Sequence, residues 1–335
     1  MEGWQPVPRQ PDTLEAIAVA VREAPDWLIV THERPDGDAL GSALAVGHIL
    51  SALGKTWTFV VAEMIPERFS FLPKYGQISQ LADLPGRVFD HVIAVDCADE
   101  SRFAGVSSAI AADAKILNID HHQTNPHFGT VAYVDDRAAA TAELIFHVAC
   151  ALDVPLEKDL ATCLYTGILT DTGGFSYPNT TREVHQIAAE LLASGVQPYD
   201  VAEPALEART REQMKLLQAA IRDMFISDDG RYAFISVTQE MLSTLDATED
   251  DAVGLVAFAR SIDTVEVGVL LRERPDGSIK ASLRSKRRID VAKIAQRFGG
   301  GGHARAAACV VAGPMAQARA AIERAVLEAL EGTDV

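Results

Sequence analysis

Four short polar segments hold most of the residues that could do chemistry. They are Thr31-His32-Glu33-Arg34-Pro35-Asp36-Gly37-Asp38, Asp96-Cys97-Ala98-Asp99, Asp120-His121-His122 and Thr170-Asp171-Thr172-Gly173-Gly174. Aspartate and histidine dominate them. Brought together, they would place four carboxylates and two or three imidazoles in one crevice. Carboxylates crowded without partners repel and raise one another's pKa. Divalent cations relieve that repulsion, and two of them balance four carboxylates. A mixed carboxylate and imidazole set suits manganese, iron or zinc better than calcium. Two such ions, about 3.5–4 Å apart, are suited to in-line displacement at phosphorus. Cys97, Cys150, Cys163 and Cys309 are scattered without a CxxC pair, which argues against a thiolate zinc site or a disulfide framework and fits a reducing cytoplasm.

The four segments are far apart in sequence, so the fold must bring them together. The first three each follow an apolar run: Trp27 to Thr31, His91 to Val95 and Lys115 to Ile119. Thr56 to Val61 is a further β-branched and aromatic run. Ala39 to Leu53 is rich in Ala and Leu and stops at Gly54, a helix signature. Apolar runs alternating with helices imply buried parallel strands in an α/β sheet. The carboxyl ends of such strands line one crevice. The first three segments are therefore expected to meet there, and the fourth to arrive from the end of the helical stretch Asp159 to Leu169.

The pattern changes after Asn179. Thr181 to Ser194 reads as a helix, and Ala205 to Phe225 as another, with Met214, Leu217, Ile221 and Met224 on one stripe. Tyr232 to Val237, Val265 to Arg272 and Ser278 to Leu283 read as strands. Pro275-Asp276-Gly277 marks an antiparallel hairpin between the last two. Ile289 to Phe298 and Met315 to Leu330 read as helices. The length of 335 residues predicts about two domains. The boundaries expected are a parallel-sheet α/β catalytic domain over 1–200, a linker helix over 201–228 and a smaller α/β domain with a mixed sheet over 229–332, with a substrate cleft between the domains.

Composition narrows the function classes. Hydrophobic residues at 48% and charged residues at 23% describe an ordinary globular chain, which argues against disorder, collagen or a coiled-coil rod. No apolar run reaches the ~18 residues of a membrane span, and the N-terminus lacks a secretory pattern. Net charge is −17, yet residues 280–305 carry eight Lys or Arg and one acid, Asp290, for a local +7. One basic cluster on an acidic chain suits a small or short anionic ligand. A long duplex needs a wider basic footprint.

Together the motifs are identified as those of the DHH phosphoesterase superfamily, which takes its name from the triplet seen here as Asp120-His121-His122. The resemblance covers nearly the whole chain. It includes His32 to Ser42, Val95 to Arg102 and Thr170 to Gly173. It extends to a DHH-associated C-terminal domain through Ser282-Leu283-Arg284-Ser285 and Phe298 to Ala307, and the length is similar to the nanoRNase and pAp phosphatase branch. The resemblance implies that His32 and Asp36 hold one metal, that Asp38, His121 and Asp171 hold a second, and that Asp96 bridges both, with manganese the expected ion. It further implies that His122 sits at the scissile phosphate and that Asp120 orients a neighbouring imidazole.

In the second domain, Arg284 and Arg305 can each grip a phosphate with two donors. Ser285, the glycines Gly300, Gly301 and Gly302, and His303 are expected to complete a phosphate and base grip, since glycine lets a ligand approach backbone N–H groups. The expected activity is metal-dependent cleavage of very short RNA to 5′-mononucleotides, together with removal of the 3′-phosphate of pAp. Cyclic di-AMP or linear dinucleotide turnover in signalling is the main alternative, ahead of pyrophosphate hydrolysis or a binding protein with a dead site. The expected partners are short RNAs or nucleotides, with no long duplex and no membrane, and a homodimer is left open. His48, His91, His127, His147 and His185 are read as packing, edge or surface histidines, Cys97 as no nucleophile, and Ser42 as a cap for the helix after the first motif.

Overall fold

The computed structural model describes residues 9–63 and 65–332; the first eight residues of the N-terminal stretch read for a secretory pattern lie outside it. Two compact units divide between Ala208 and Arg209.

The first unit runs α1 (Pro11–Glu23), β1 (Asp26–Val30), α2 (Gly37–Ala52), β2 (Thr56–Val61), β3 (Ser79–Gln80), β4 (Phe89–Val95), β5 (Ile110–Asp120), β6 (Val131–Val134), α3 (Thr141–Ala151), α4 (Lys158–Asp171), α5 (Arg182–Ala193) and α6 (Pro198–Ala202). Its sheet has the order β3-β2-β1-β4-β5-β6, with every neighbouring pair parallel. Alternate strand residues feed different layers. Ile29, Phe59, Ile93, Val95, Leu117 and Ile119 pack under the helices. Leu28, Val30, Val60, Val92 and Ala94 face Phe103, Val106 and Ala109 on the other side. Both faces are covered, which is why the strands read as continuous apolar runs. Helix α2 is mostly apolar, with no single polar face, and buried over nearly its whole length, as a central helix should be. It crosses α4 where Gly41 meets Cys163 and Gly167: a Cβ on Gly41 would lie 2.5 Å from the Cys163 carbonyl oxygen.

The helix expected over Ala205 to Phe225 is interrupted. A wide helical turn over Glu203–Glu207 ends at Ala208, whose ψ of 135° is extended. Thr210 then starts a new helix with a reciprocal cap, its hydroxyl accepting from the Gln213 amide while the Gln213 side chain accepts from Thr210. The apolar stripe was legible, but it did not register this restart.

The second unit runs α7 (Arg211–Arg222), β7 (Phe225–Ile226), β8 (Tyr232–Val237), α8 (Gln239–Thr244), α9 (Val256–Ser261), β9 (Val267–Glu273), β10 (Ile279–Ser285), α10 (Val291–Gln296), β11 (Gly301–His303), β12 (Ala306–Val311) and α11 (Met315–Glu331). Its sheet has the order β11-β12-β10-β9-β8-β7 and is mixed, with only β8 and β9 parallel. The hairpin expected at Pro275 to Gly277 joins β9 to β10, and Gly277 adopts the φ of +79° its turn requires. One face of the sheet packs on α10 and α11 through Val267, Val269, Ile279, Ala281 and Leu283. The other face, over β8 and β9, packs on α7, α8 and α9. On β10, Lys280, Ser282 and Arg284 alternate with the buried residues and belong to neither core.

Candidate active site and metal centre

Strand order places the site. β1 leads to β2 on one side while β4 lies on its other side, so the connection reverses between β1 and β4, where open α/β sheets bind ligands. His32 follows β1 and Asp96 follows β4; His32 Nε2 lies 3.6 Å from Asp96 Oδ2. Asp36 caps α2, its Oδ1 accepting from the Asp38 and Ala39 amides at 3.0 and 3.1 Å, and lies 4.0 Å from His32 Nε2. Ser42 does not cap that helix; its hydroxyl donates to Asp38 Oδ1 at 3.1 Å from inside it.

Asp96 takes a left-handed backbone conformation, φ 57°, uncommon for any residue but glycine and most tolerable for Asn and Asp. Its amide still donates to Ile119 O, so the chain turns at the end of the ladder and swings the carboxylate across the strand ends. Asp96 Oδ2 faces His32, while its Oδ1 lies 3.6 Å from His121 Nε2. His121 Nε2 also lies 3.2 Å from Asp171 Oδ2 and 3.9 Å from Asp38 Oδ2. Two triads with no residue in common result, His32–Asp36–Asp96 and Asp38–His121–Asp171, each with ligand atoms within 4.8 Å of one another, and Asp96, His121 and His122 form a third group of the same kind that overlaps both.

Several features fit divalent cations. His121 Nδ1 lies 3.3 Å from the Ala138 carbonyl, and donating its proton there leaves the Nε2 lone pair facing three carboxylates. Burial pushes the Asp38 carboxyl up to about 7, with the charge of Asp96 adding to the effect. Asp171 is pushed well above the ordinary range by burial and by Asp38, Asp36 and Asp96. Burial would raise Asp96 too, but the His32 hydrogen bond and the charges of His121, His32 and His122 outweigh it and hold the carboxyl at about 2. The centre thus concentrates negative charge that cations would neutralise.

Beside the triads, His122 Nδ1 lies 2.8 Å from Asp120 Oδ1. The other Asp120 oxygen accepts from Asn125 Nδ2 at 2.7 Å, and Asn125 also donates to Cys97 O. Burial lowers the His122 pKa, but Asp120 and Asp96 outweigh it and the net shift is upward. Cys97 is fully buried, and burial raises its thiol pKa well above the ordinary value.

Sequence reasoning missed Asn125, Asn179 and Thr141. Asn179 Nδ2 bridges Ala139 O and Asp171 O at 3.0 and 3.1 Å. Thr141 touches two of the acids and is taken up below. The visible signal was slight: a lone Thr after three alanines at a helix start, and an Asn three residues after the His-His pair. His147, read as a packing or surface histidine, is buried 3.4 Å from Glu183 in a second polar cluster with Glu143 and Arg9.

In the second unit, the glycine run is ordered. Gly301 to His303 form an edge strand on β12. A Cβ on Gly300 would lie 2.2 Å from Ala308 O, and Gly302 has a φ of +141°. Gly301 and His303 are exposed. Arg305 is exposed, with Nη1 donating to Ile289 O at 2.8 Å. Arg284 is half-buried and donates to Leu283 O. Ser285 is only 1% exposed, and its hydroxyl donates to Ile289 O at 2.6 Å, so it holds the 285–289 turn from inside. Ser282, one residue along the outward stripe of β10 from Arg284, faces the side that Ser285 was expected to serve.

The sequence pattern described as the DHH family, N-terminal domain, matches residues 26–168, and that of the DHHA1 domain matches residues 232–331. The chain is 37% identical over 320 residues to the bifunctional oligoribonuclease and PAP phosphatase NrnA of Thermus thermophilus, spanning 93% of each chain. It is 25% identical over 280 residues to the Bacillus subtilis protein of the same name, spanning 81% of this chain and 85% of that one. A solved structure of an exopolyphosphatase-related protein from Bacteroides fragilis matches with a TM-score of 0.88 at 29% identity, over 95% of this chain and 96% of that one. With both domains matched and the acids and histidines of the motifs drawn to one crevice, the chain belongs to the DHH family and is NrnA-like.

Proposed function

We propose that the chain is a two-metal phosphodiesterase that cleaves very short oligoribonucleotides to 5′-mononucleotides and removes the 3′-phosphate of pAp. The reading is carried by one observation: a complete pair of triads, with Asp96 between them, in a chain alike over 93% of its length to a bifunctional oligoribonuclease and PAP phosphatase. His32, Asp36 and Asp96 would hold one cation, and Asp38, His121, Asp171 and Asp96 the other; manganese, one of the ions this donor set suits, is the one proposed. When bound, such ions neutralise phosphate charge and make water a better nucleophile.

The chain's own residues do the rest. Asp120 holds His122 by its Nδ1 proton and favours the imidazolium form, in which Nε2 can donate to a phosphate oxygen or to the leaving oxygen. Arg284, Arg305, His303 and the exposed backbone of Gly301 would hold the substrate's other phosphate and its base, while Ser285, Gly300 and Gly302 shape that surface. The proposed division is 1–200 for catalysis, 201–228 for connection and 229–332 for substrate binding. The proposed setting is the cytoplasm, where the four reduced thiols are at home. Among the described residues, no helix is long and apolar enough to cross a membrane.

The test is one product analysis with manganese, offering a dinucleotide RNA, a ~24-nucleotide RNA, pAp, cyclic di-AMP and pyrophosphate in parallel. Rapid loss of dinucleotide and pAp with the long RNA spared supports the reading. Untouched dinucleotide and pAp would sink it. A dominant cyclic di-AMP reaction would keep the site and move its role to second-messenger turnover.

A further inference from the structure

The segment between β6 and α3, with the first residues of α3, backs the metal-ligating set, touching His121, Asp38 and Asp96 directly. Ala138 O accepts from His121 Nδ1. Ala139 O accepts from Asn179, which also holds Asp171 O. The Thr141 and Ala142 amides donate to the two oxygens of Asp38 at 2.6 and 2.9 Å. The Thr141 hydroxyl lies 3.0 Å from Asp96 Oδ1. Thr141 is fully buried, and so is Asp38. Ala140, at the cap position of α3, supplies no side-chain cap. Asp38 fills that role from another helix, placing its charge at the positive end of α3.

The segment is itself anchored. Glu143, one turn into α3 and fully buried, accepts the Ala139 amide on Oε2 at 2.8 Å. Its other oxygen lies 3.2 Å from Arg9, which also pairs with Glu183 at 2.8 Å. Arg9 supplies a cation to this second acidic cluster, which therefore reads as a clamp on the segment behind the site.

Asp96 is the acid whose orientation matters most. To serve both triads it must turn one oxygen to His32 and the other to His121. A carboxylate offers about four lone-pair positions, and the Thr141 hydroxyl, with one proton to give, claims one on Oδ1. That fixes the carboxylate plane and leaves a lone pair on each oxygen pointing outward. We propose that Thr141 is a positioning residue that sets Asp96 between the two cation sites, with Glu143 anchoring the segment that carries it. The proposal rests on the two-cation reading above.

The geometry allows a clean test. Thr141→Val keeps the shape and both backbone bonds to Asp38, and removes only the hydroxyl bond to Asp96. Manganese binding to the full chain is measured by calorimetry and by the spin signal of the free ion, beside the melting temperature of the metal-free protein. The wild type should bind two ions per chain. Thr141→Val should melt like the wild type without metal yet bind manganese at least about tenfold more weakly, the scale of a lost outer contact to a metal ligand. Thr141→Ser should return to within a few-fold of wild type, and excess manganese should restore the variant's turnover with KM unchanged. Thr141→Ala, which also lacks the hydroxyl, gives the same comparison should valine hinder folding. Wild-type affinity and stoichiometry in a folded Thr141→Val or Thr141→Ala protein would overturn the proposal and leave the two-cation reading intact. Fewer than two ions bound by the wild type would overturn both.

Discussion

At the scale of single residues, the centre depends on carboxylates in unequal electrostatic states. Asp96 stays ionised because three imidazoles face it, whereas buried Asp38 is held near 7. A protonated carboxyl is a poor ligand, so manganese affinity should climb with pH up to about 7 and then level off. Calorimetry in buffers of different ionisation heat should find about one proton or more released per chain at about pH 6 and far less at about pH 8; equal release at both would contradict this. The sign for stability is opposite. Asp38 binds its proton more firmly folded than unfolded, so its contribution favours folding below the ordinary carboxylate range and is lost as pH rises through about 7. The stabilising effect of manganese should accordingly be larger at about pH 8 than at about pH 6. Asp96→Ala removes the acid that belongs to one triad and faces His121 of the other, and should lower turnover by at least ~10²-fold, the scale of losing one preorganised electrostatic contact; full activity in manganese would refute the assignment. The acids and histidines brought together here were legible because they are chemically unusual directly after apolar runs. Thr141 was not, since a threonine at a helix start has an ordinary reason to be there.

At the scale of elements, glycines decide which side chains can meet. A Cβ on Gly167 of α4 would lie 2.6 Å from Asp38 Oδ1 and 2.6 Å from the Ala142 side chain. Gly167→Ala should therefore push Asp38 off the α3 amides. The expected result is a loss of roughly 1–3 kcal/mol in stability, typical of overpacking, with a further loss of manganese affinity beyond what heat denaturation reports. A stable variant with wild-type metal binding would show that α2 and α4 can part without cost. The second unit offers an internal contrast. Gly301 faces open space with ordinary φ, whereas Gly302 combines a φ of +141° with a Cβ position 2.5 Å from Ala306 O. Gly302→Ala should unpair β11 and raise KM for short RNA, while Gly301→Ala should leave the fold intact; equal melting temperatures for the two would argue against the edge strand. Four of the parallel strands, β1, β2, β4 and β5, were readable from their apolar runs, whereas the four-residue β6 was not. The short pieces β3, β7 and β11 were not, because two or three residues carry no period. The single helix expected over Ala205 to Phe225 divided because a local cap at Thr210 outcompeted an otherwise continuous stripe.

At the scale of the whole molecule, the charge distribution sets what the chain can hold. The net charge of −17 repels extended polyanions, and the +7 window over residues 280–305 is the exception. Much of that window is already engaged. Lys286 donates to the carbonyls of Ile262 and Asp263, and Arg297 pairs with Glu328. Glu266 accepts the amides of Arg287, Arg288 and Ile289. Arg284 and Arg305 each use Nη1 on a carbonyl, and Arg305, with five donors on its guanidinium, keeps others for a phosphate. If those two residues are the grip, about two phosphates are neutralised. Counterion release from a single strand then gives a slope of about −1.4 in log affinity against log salt. KM for a dinucleotide or trinucleotide should rise only about sevenfold between 50 and 200 mM salt, with kcat flat. Arg305→Ala should remove about half of that slope and raise KM by ~10-fold or more, the cost of one charged hydrogen-bond pair. A slope several times steeper, or one that grows with RNA length, would mean that the strand is tracked over many phosphates. That result would replace a short-fragment enzyme with a processive one on the same fold.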